Sequence, residues 1–199
     1  MAITNGYCTL AELKAACRIT DNSSDTLLEN AIEGASRRID GYCGRFFYQV
    51  PNTAISFYAH NEFKIMLPDI ASSNIVVKTD DNGDGVFETT WSAGEYRLEP
   101  TNTVLQTRPY YRLVTTGIRT FPIFTYPPMP SLQVTATWGW SAIPDDVREA
   151  CVLLAMRMFS RLNSPLGVAG FGDMGAITVR TVDPDVRDLL SPYLLQGVA

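Results

Sequence analysis

Apolar residues near the start of the chain recur every three or four positions, which is the spacing of one face of an α-helix. The motif Thr9-Leu10-Ala11-Glu12 pairs an N-cap hydroxyl with a carboxylate three residues later, and it predicts a first helix over 9–18. A second helix is predicted over 24–42, ended by Gly41 and Gly44. Its apolar stripe consists of Leu27, Leu28, Ala31, Ile32, Ala35, Ile39 and Cys43.

Between Phe46 and Trp140 the apolar runs become short, rich in β-branched and aromatic residues, and separated by Pro, Asn and Gly. Such spacing predicts an antiparallel sheet or a small barrel, because strands that alternate with helices would show longer helical patterns between them. The expected strands cover residues 55–59, 64–66, 75–79, 87–91, 96–98, 111–114 and 132–138.

Helical spacing returns after Pro144, a residue favoured at the first helical position. Asp145 and Asp146 follow it, where the helix dipole favours carboxylates. The helix is expected to end near Asn163. Its apolar stripe consists of Val147, Ala150, Cys151, Leu154, Ala155, Met158 and Leu162. One shared helical core is expected to contain Leu28, Ile32, Ile39, Cys151, Leu154 and Met158.

The last part of the chain combines glycine with apolar residues. A Gly-rich apolar loop is predicted over 164–175 and an extended piece over 176–181, and Asp183-Pro184 begins a final helix. The predicted fold class is therefore α+β: a helical bundle formed by the N- and C-terminal parts, with an inserted antiparallel β-rich domain. The expected divisions are 1–45, 46–140 and 141–199.

Composition narrows the classes of protein. The chain has 199 residues, is 46% apolar and has a net charge of −5, which argues against disorder. A pI near 4.9 argues against a broad basic surface for nucleic acid. No apolar stretch is long enough to span a membrane, and the first seven residues lack the features of a signal peptide. We expect no membrane association.

Candidate catalytic chemistry is sparse. The single histidine, His60, lies in a predicted hairpin, and no nucleophile elbow, zinc-protease motif or phosphate-binding loop occurs. A G-x-G-x-x-G pattern at Gly170 follows a helix instead of a strand, which is the reverse of the dinucleotide-binding context. We therefore expect no enzymatic activity and no cofactor. The cysteines are interpreted as small buried apolar residues in a reducing compartment: Cys8, Cys17, Cys43 and Cys151.

One loop has the beginning of a calcium site. Asp80, Asn82 and Asp84 match the first three oxygen ligands of a calcium loop, but Trp91 occupies the twelfth position, where a carboxylate belongs. The favoured interpretation is a hairpin turn that uses Asn-Gly and Asp-Gly, with no metal. The aromatic motif Trp138-Gly139-Trp140 could stack a base or a sugar, but its place between a strand and a helix favours a packing role that connects the insertion to the bundle. Together the loop and this motif leave open a calcium- or carbohydrate-binding β module on a helical stalk.

Arg37 and Arg38 lie on the polar face of the second predicted helix. Two adjacent arginines there indicate a solvated face or an ion pair between subunits, because one pair alone is a small target for nucleic acid.

Four stretches carry a family resemblance through their order and spacing. They are the motif 9–14, the helix and its end over 27–47, the segment 138–144 with the helix after it, and the loop 164–172 continuing to Val186. In these the chain resembles the head-to-tail adaptor (connector, or head-completion) proteins of long-tailed double-stranded DNA phages and related gene transfer agents.

The resemblance implies a structural virion protein at the head-tail junction, made in the host cytoplasm. It implies a ring, commonly of twelve copies, that lies under the portal, joins the DNA-filled head to the tail and extends the DNA channel. The implied partners are the portal protein, neighbouring adaptor subunits, and the next connector or tail-terminator protein. DNA would pass through without sequence-specific binding.

A docking role is expected for the C-terminal part, because apolar side chains among glycines gain from burial by a partner. We expect it to bind the portal or a neighbouring subunit. The candidate docking residues are Leu166, Val168, Phe171, Met174, Val186, Leu189, Leu190 and Leu194.

Overall fold

The computed structural model describes residues 3–103, 108–162 and 184–195, and it divides the chain into two compact units. A helical unit comprises 1–48 and 142–199, and a β unit comprises 49–141. The predicted α+β class is confirmed. The predicted extended piece over 176–181 lies outside the described residues.

The helical unit contains α1 (Leu10–Cys17), α2 (Asp25–Cys43), α3 (Asp145–Leu162) and α4 (Pro184–Leu190), which continues into a 3₁₀ turn, Ser191–Tyr193. The helix α3 packs on α1, on α2 and on α4. The largest contact is between α2 and α3, so these two helices form the centre of the unit.

The start of α1 matches its predicted capping box. The Glu12 backbone N–H donates to the Thr9 hydroxyl (3.2 Å), and the Thr9 N–H donates to the Glu12 carboxylate (2.7 Å). At the start of α2, Ser24 occupies the N-cap position and makes no side-chain capping bond. The ammonium of Lys14 lies there instead, 2.7 Å from the carboxylate of Asp25.

The core of the helical unit follows the predicted stripes. Leu28, Ile32 and Ile39 of α2 are fully buried, as is Cys151 of α3. Leu154 and Met158 of α3 are only partly buried. Leu27, which shares the predicted α2 stripe, is 48% exposed.

The β unit is one antiparallel sheet of seven strands. They are β1 (Val50–Phe57), β2 (Lys64–Ile70), β3 (Val76–Thr79), β4 (Thr89–Thr90), β5 (Tyr96–Glu99), β6 (Tyr110–Thr115) and β7 (Leu132–Trp138). The order is β4-β3-β7-β2-β6-β5, and β1 pairs with β7. The strand β7 is central, because it also pairs with β3 and, at Trp138, with β2.

Two strands are longer than predicted because each contains a proline at an irregularity in its pairing. In β1 the register shifts between Val50 and Thr53, beside Pro51, and Asn52 takes a positive φ of 46°. In β2 the shift spans Pro68, between Met66 and Ile70. Proline lacks an N–H for the ladder, so a bulge is where a strand accepts it.

Candidate interaction surfaces

The described residues contain no constellation that fits nucleophilic or general acid–base catalysis. His60 is exposed in the loop between β1 and β2. Within the described ranges, one group of three acidic residues has carboxylate oxygens near enough for a metal ion, namely Asp80, Asp84 and Glu88.

The loop that carries these acids connects β3 to β4 and is built around Asp80. This residue is fully buried, and its carboxylate accepts backbone N–H groups from Asn82 (3.1 Å), Gly83 (2.6 Å) and Gly85 (2.8 Å). Gly83 and Gly85 have φ of 79° and 85°. The predicted hairpin turn with positive φ at both glycines is confirmed, and Asp80 organises it.

Hydrogen bonding decides the charge of Asp80. Loss of solvent raises the pKa of its carboxyl, but the backbone N–H groups of Gly83, Gly85, Asn82 and Asp84 outweigh that effect. The net pKa lies below the ordinary value, so the carboxylate is ionised at neutral pH. Both of its oxygens are already engaged by the loop's own backbone.

Trp91, at the twelfth position of the apparent calcium loop, is a core residue. Its ring stacks on Phe121 with centroids 5.1 Å apart, and its indole N–H donates to the Thr79 hydroxyl (3.0 Å). Asp84 and Glu88 are exposed. Trp91 thus stands where a calcium loop would have its closing carboxylate, and its ring packs in the core.

The tryptophans of the Trp138-Gly139-Trp140 motif also lie in the β unit's interior. Trp138 is 1% exposed and donates to the Thr53 carbonyl (2.7 Å), while Trp140 is 3% exposed and donates to the Asp69 carboxylate (2.9 Å). A sugar or a base stacks only on an exposed ring face. The carbohydrate-binding alternative therefore has no aromatic platform in this motif.

Arg37 is engaged within its own unit. Its guanidinium forms an ion pair with Asp40 (3.1 Å), donates to the Asn5 carbonyl (2.9 Å) and lies over the Tyr48 ring at 5.1 Å from the centroid. Arg37 therefore connects two segments to α2: the N-terminal segment, through Asn5, and the residues just beyond the helix, through Tyr48. Arg38 is exposed on the same helix.

The candidate docking residues fall into two groups. Leu166, Val168, Phe171 and Met174 lie outside the described residues. In the C-terminal helix, Val186 and Leu190 are each 2% exposed and Leu189 is partly buried, whereas Leu194, just after the 3₁₀ turn, is 38% exposed. Val186 and Leu190 thus belong to the core of the helical unit, and Leu194 is available to a partner.

The position of α4 also depends on aromatic contacts just beyond it. The Tyr193 ring meets Phe47 edge to face, with centroids 5.8 Å apart, and its hydroxyl donates to Asp146 (3.0 Å). The Leu195 N–H donates to the Cys43 carbonyl (3.0 Å) at the end of α2. These contacts hold the C-terminal turn against the helical unit.

Sequence reasoning missed a groove of about 520 Å³ between α1 and α3. At one end Arg148 pairs with Asp145 (2.9 Å) and approaches Glu12 (4.0 Å). Its apolar lining is formed by Ala15, Ala16, Val152, Leu153 and Met156. The apolar pattern of either helix alone does not predict this groove, because it forms only where α1 and α3 pack together.

Two loops of the β unit lie against each other and present apolar side chains to solvent. A β-carbon placed on Gly83 would lie 3.3 Å from the Phe124 ring, so the β3–β4 loop contacts the loop before β7. Val86 on the first loop is 60% exposed, and Tyr126 on the second is 95% exposed. Single exposed apolar side chains are normal on a protein surface, so these two do not by themselves mark an interface.

None of the helices that the structure describes is both long and apolar enough to cross a membrane.

Comparison with known proteins gives a consistent result. Residues 7–75 match the model of the phage gp6-like head-tail connector protein family. No curated protein matches the chain. A chain in the neck of an empty gene transfer agent particle, computed with C6 symmetry, is similar with a TM-score of 0.57 and 19% identity, over 100% of this chain and 95% of that chain.

A second solved structure, the virion of a native gene transfer agent particle, contains a chain with a TM-score of 0.57 and 20% identity, over the same shares of both chains. At this identity the likeness establishes the fold, and it extends over the whole chain. The resemblance inferred from the sequence is thereby confirmed: the chain is similar to the phage gp6-like head-tail connector family over residues 7–75 and has the fold of a gene transfer agent neck chain throughout.

Proposed function

We propose that this chain is a non-enzymatic structural protein at the head-tail junction of a phage or gene transfer agent particle. It would join the DNA-filled head to the tail. The observation that carries the proposal is the correspondence with a gene transfer agent neck chain over 100% of the present chain. The match of residues 7–75 to a head-tail connector family supports it independently.

The proposed assembly is a ring of twelve copies under the portal that extends the DNA channel. The similar neck was computed with C6 symmetry, and rings of six or twelve identical subunits both satisfy a six-fold axis. Each subunit in a closed ring contacts its two neighbours through two different surfaces. A net charge of −5 suits a channel wall that DNA must pass without binding.

The proposed partners are the portal protein, neighbouring copies, and the next connector or tail-terminator protein. For the portal contact we propose the exposed Leu194, together with Leu166, Val168, Phe171 and Met174 of the Gly-rich segment. Val186, Leu189 and Leu190 would anchor that surface to the helical unit. Arg38, exposed on α2, remains the better candidate of the arginine pair for a contact between subunits, because Arg37 is engaged internally.

The decisive experiment removes the gene from the phage or gene transfer agent cluster that encodes it. We expect electron microscopy of the lysate to show DNA-filled heads and separate tails, and complementation with the wild-type gene to restore joined particles. Joined, infectious particles in the absence of the gene would overturn the proposal. Failure to package DNA at all would place the protein at an earlier step.

The docking surface is tested with a matched pair of substitutions. Leu194→Asp places a charge on the proposed surface, and Leu27→Asp places one on α2, where the residue is similarly exposed (38% and 48%). Both variants should fold, as measured by circular dichroism. Only Leu194→Asp should fail to join heads to tails, and equal joining by both variants would remove Leu194 from the portal contact.

A further inference from the structure

Two cysteines that are 143 positions apart in the chain meet inside the helical unit. The Sγ atoms of Cys8 and Cys151 are 3.4 Å apart. Cys8 lies in the segment just before α1, and Cys151 lies in the middle of α3. Among the four cysteines, all of which lie in the described part of the chain, these are the two whose sulfurs are within hydrogen-bonding distance of each other.

The pair is placed by the backbone around it. The Tyr7 N–H donates to the Ser36 hydroxyl (3.0 Å), which lies 3.5 Å from the Cys151 sulfur. Cys8 is 5% exposed and Cys151 is fully buried. In a disulfide the sulfurs are about 2.05 Å apart, so bond formation requires an approach of only about 1.4 Å.

We propose that Cys8 and Cys151 are a redox pair, which a low-molecular-weight disulfide converts into an intramolecular disulfide that links the N-terminal segment to α3.

The reaction proceeds in two exchanges. The Cys8 thiolate attacks the small disulfide, forming a mixed disulfide and releasing one thiolate. The Cys151 thiolate then attacks the Cys8 sulfur and releases the second. The protein loses two electrons and two protons, and the oxidant becomes two thiols. Cys8 is the entry point, because its segment precedes α1 and local opening there exposes its sulfur.

The pKa values of the two thiols shift in opposite directions in the closed pair, and the Cys8 thiol is held neutral until local opening separates it from Cys151. The hydrogen bond with Cys151 and burial both raise the pKa of Cys8. The hydrogen bond from Cys8, helped by the backbone N–H groups of Tyr7 and Cys8, lowers the pKa of Cys151 against the effect of burial. The hydrogen bond from the Cys8 thiol is lost in the mixed disulfide, but the Ser36 hydroxyl and the backbone N–H groups of Tyr7 and Cys8 do not depend on that proton, and they favour the Cys151 thiolate in the resolving step.

The bond would have a direct structural consequence. It would connect the non-helical N-terminal segment to the centre of the unit and close a long loop of chain, which restricts the unfolded state. A protein made in a reducing cytoplasm and released in a particle would be assembled as the dithiol and oxidised afterwards. That timing rests on the proposed function, whereas the cross-link depends only on the two sulfurs.

The test uses the purified full chain equilibrated with oxidised glutathione, then denatured and alkylated with N-ethylmaleimide. Reduced protein should take up four labels, one for each cysteine, and oxidised protein two. Trypsin places every cysteine on its own peptide, so the expected cross-link joins residues 1–14 to residues 149–157. The oxidised chain should also unfold at a higher temperature, and dithiothreitol should reverse the shift.

Cys17→Ser is the matched control, since it removes a thiol outside the pair and should retain both the cross-link and the thermal shift. Cys8→Ser should lose both. The proposal would be overturned if wild-type protein, folded during the equilibration with oxidised glutathione, still took up four labels after denaturation. A cross-link to residues 15–18 or 39–45 would also overturn it. These readouts need no particle assembly, so their failure is distinguishable from failure of the connector function.

Discussion

The hydroxyl of Tyr7 donates a hydrogen bond to the Asp40 carboxylate, joining the N-terminal segment to α2. The same hydroxyl accepts the Phe47 N–H (2.8 Å), so one phenol links the start of the chain, the last turn of α2 and the chain beyond its end. Burial raises the pKa of Asp40, while the Tyr7 hydrogen bond and Arg37 oppose this rise. Burial outweighs both neighbours, so the net pKa of this partly buried carboxyl lies above the ordinary aspartate value.

Tyr7→Phe should destabilise the protein by about 2 kcal/mol at neutral pH, because the partly buried Asp40 carboxyl loses its hydrogen-bond donor and the Phe47 N–H loses its acceptor. The folded-state pKa of Asp40 is raised, so its unfavourable effect as an anion is absent at low pH and appears as the pH rises through that pKa. The Tyr7 hydrogen bond lowers the pKa of Asp40 and so favours the anion, and its removal should cost less below the ordinary aspartate pKa, where the carboxyl is protonated. Urea unfolding at both pH values measures it.

Tyr58→Phe is the control for this substitution, since Tyr58 is 50% exposed and should be neutral. An equal loss at both pH values for Tyr7→Phe would show that the bond to Phe47, and not the one to Asp40, provides the stability.

Asp80→Asn should lower the melting temperature clearly more than Asp84→Asn, because Asp80 accepts three backbone N–H groups of the turn and Asp84 is exposed. The folded-state pKa of Asp80 is lowered, so its contribution is present above the ordinary aspartate pKa and is lost as the pH falls through the folded-state value. Differential scanning calorimetry across acidic pH measures both effects.

Calcium should be dispensable for this loop, since Trp91 is packed in the core where the closing ligand would be needed. A chelator should leave the melting temperature unchanged. A calcium-dependent rise that Asp80→Ala abolishes would instead establish a metal site.

Leu28→Ala should reduce the free energy of unfolding by about 2–5 kcal/mol, because it leaves a cavity in a fully buried position. The adjacent Leu27→Ala should change it by less than about 0.5 kcal/mol, since that side chain is 48% exposed. Chemical denaturation of the pair measures the contrast, and similar losses would mean that α2 is rotated from its described orientation.

Gly34→Ala and Gly41→Ala test the contact between α2 and α3. Gly41 has no atom near its missing side chain, so alanine should stabilise the helix there by about 0.5–1 kcal/mol. At Gly34 the new β-carbon would lie 2.6 Å from the end of the Met158 side chain, which must move, and the gain should be smaller.

When Met158→Ala is added, the two glycine variants should change the free energy of unfolding by the same amount. A double-mutant cycle measures the interaction free energy between position 34 and Met158. A difference that persists without Met158 would assign the constraint to another part of the α2–α3 contact.

Local signals in the sequence predicted the helices well. Thr9 with Glu12 located the first turn of α1, and Pro144 with two aspartates located α3, because caps and dipole contacts involve residues that are neighbours in the chain. The strand β7 was predicted at 132–138 and found there, since Leu132, Val134, Ala136 and Trp138 alternate into the core.

The sequence by itself therefore determined the α+β class, the helix positions, the glycine turn after β3 and a resemblance to connector proteins. Only the tertiary structure decided that Leu28 is buried and Leu27 exposed, that both tryptophans of the Trp138–Trp140 motif lie inside, and that Cys8 meets Cys151. Periodicity assigns residues to one face of an element, but burial and contact depend on which other element covers that face. Folding brings that covering element into place, and in the case of Cys8 and Cys151 the two residues are 143 positions apart in the chain.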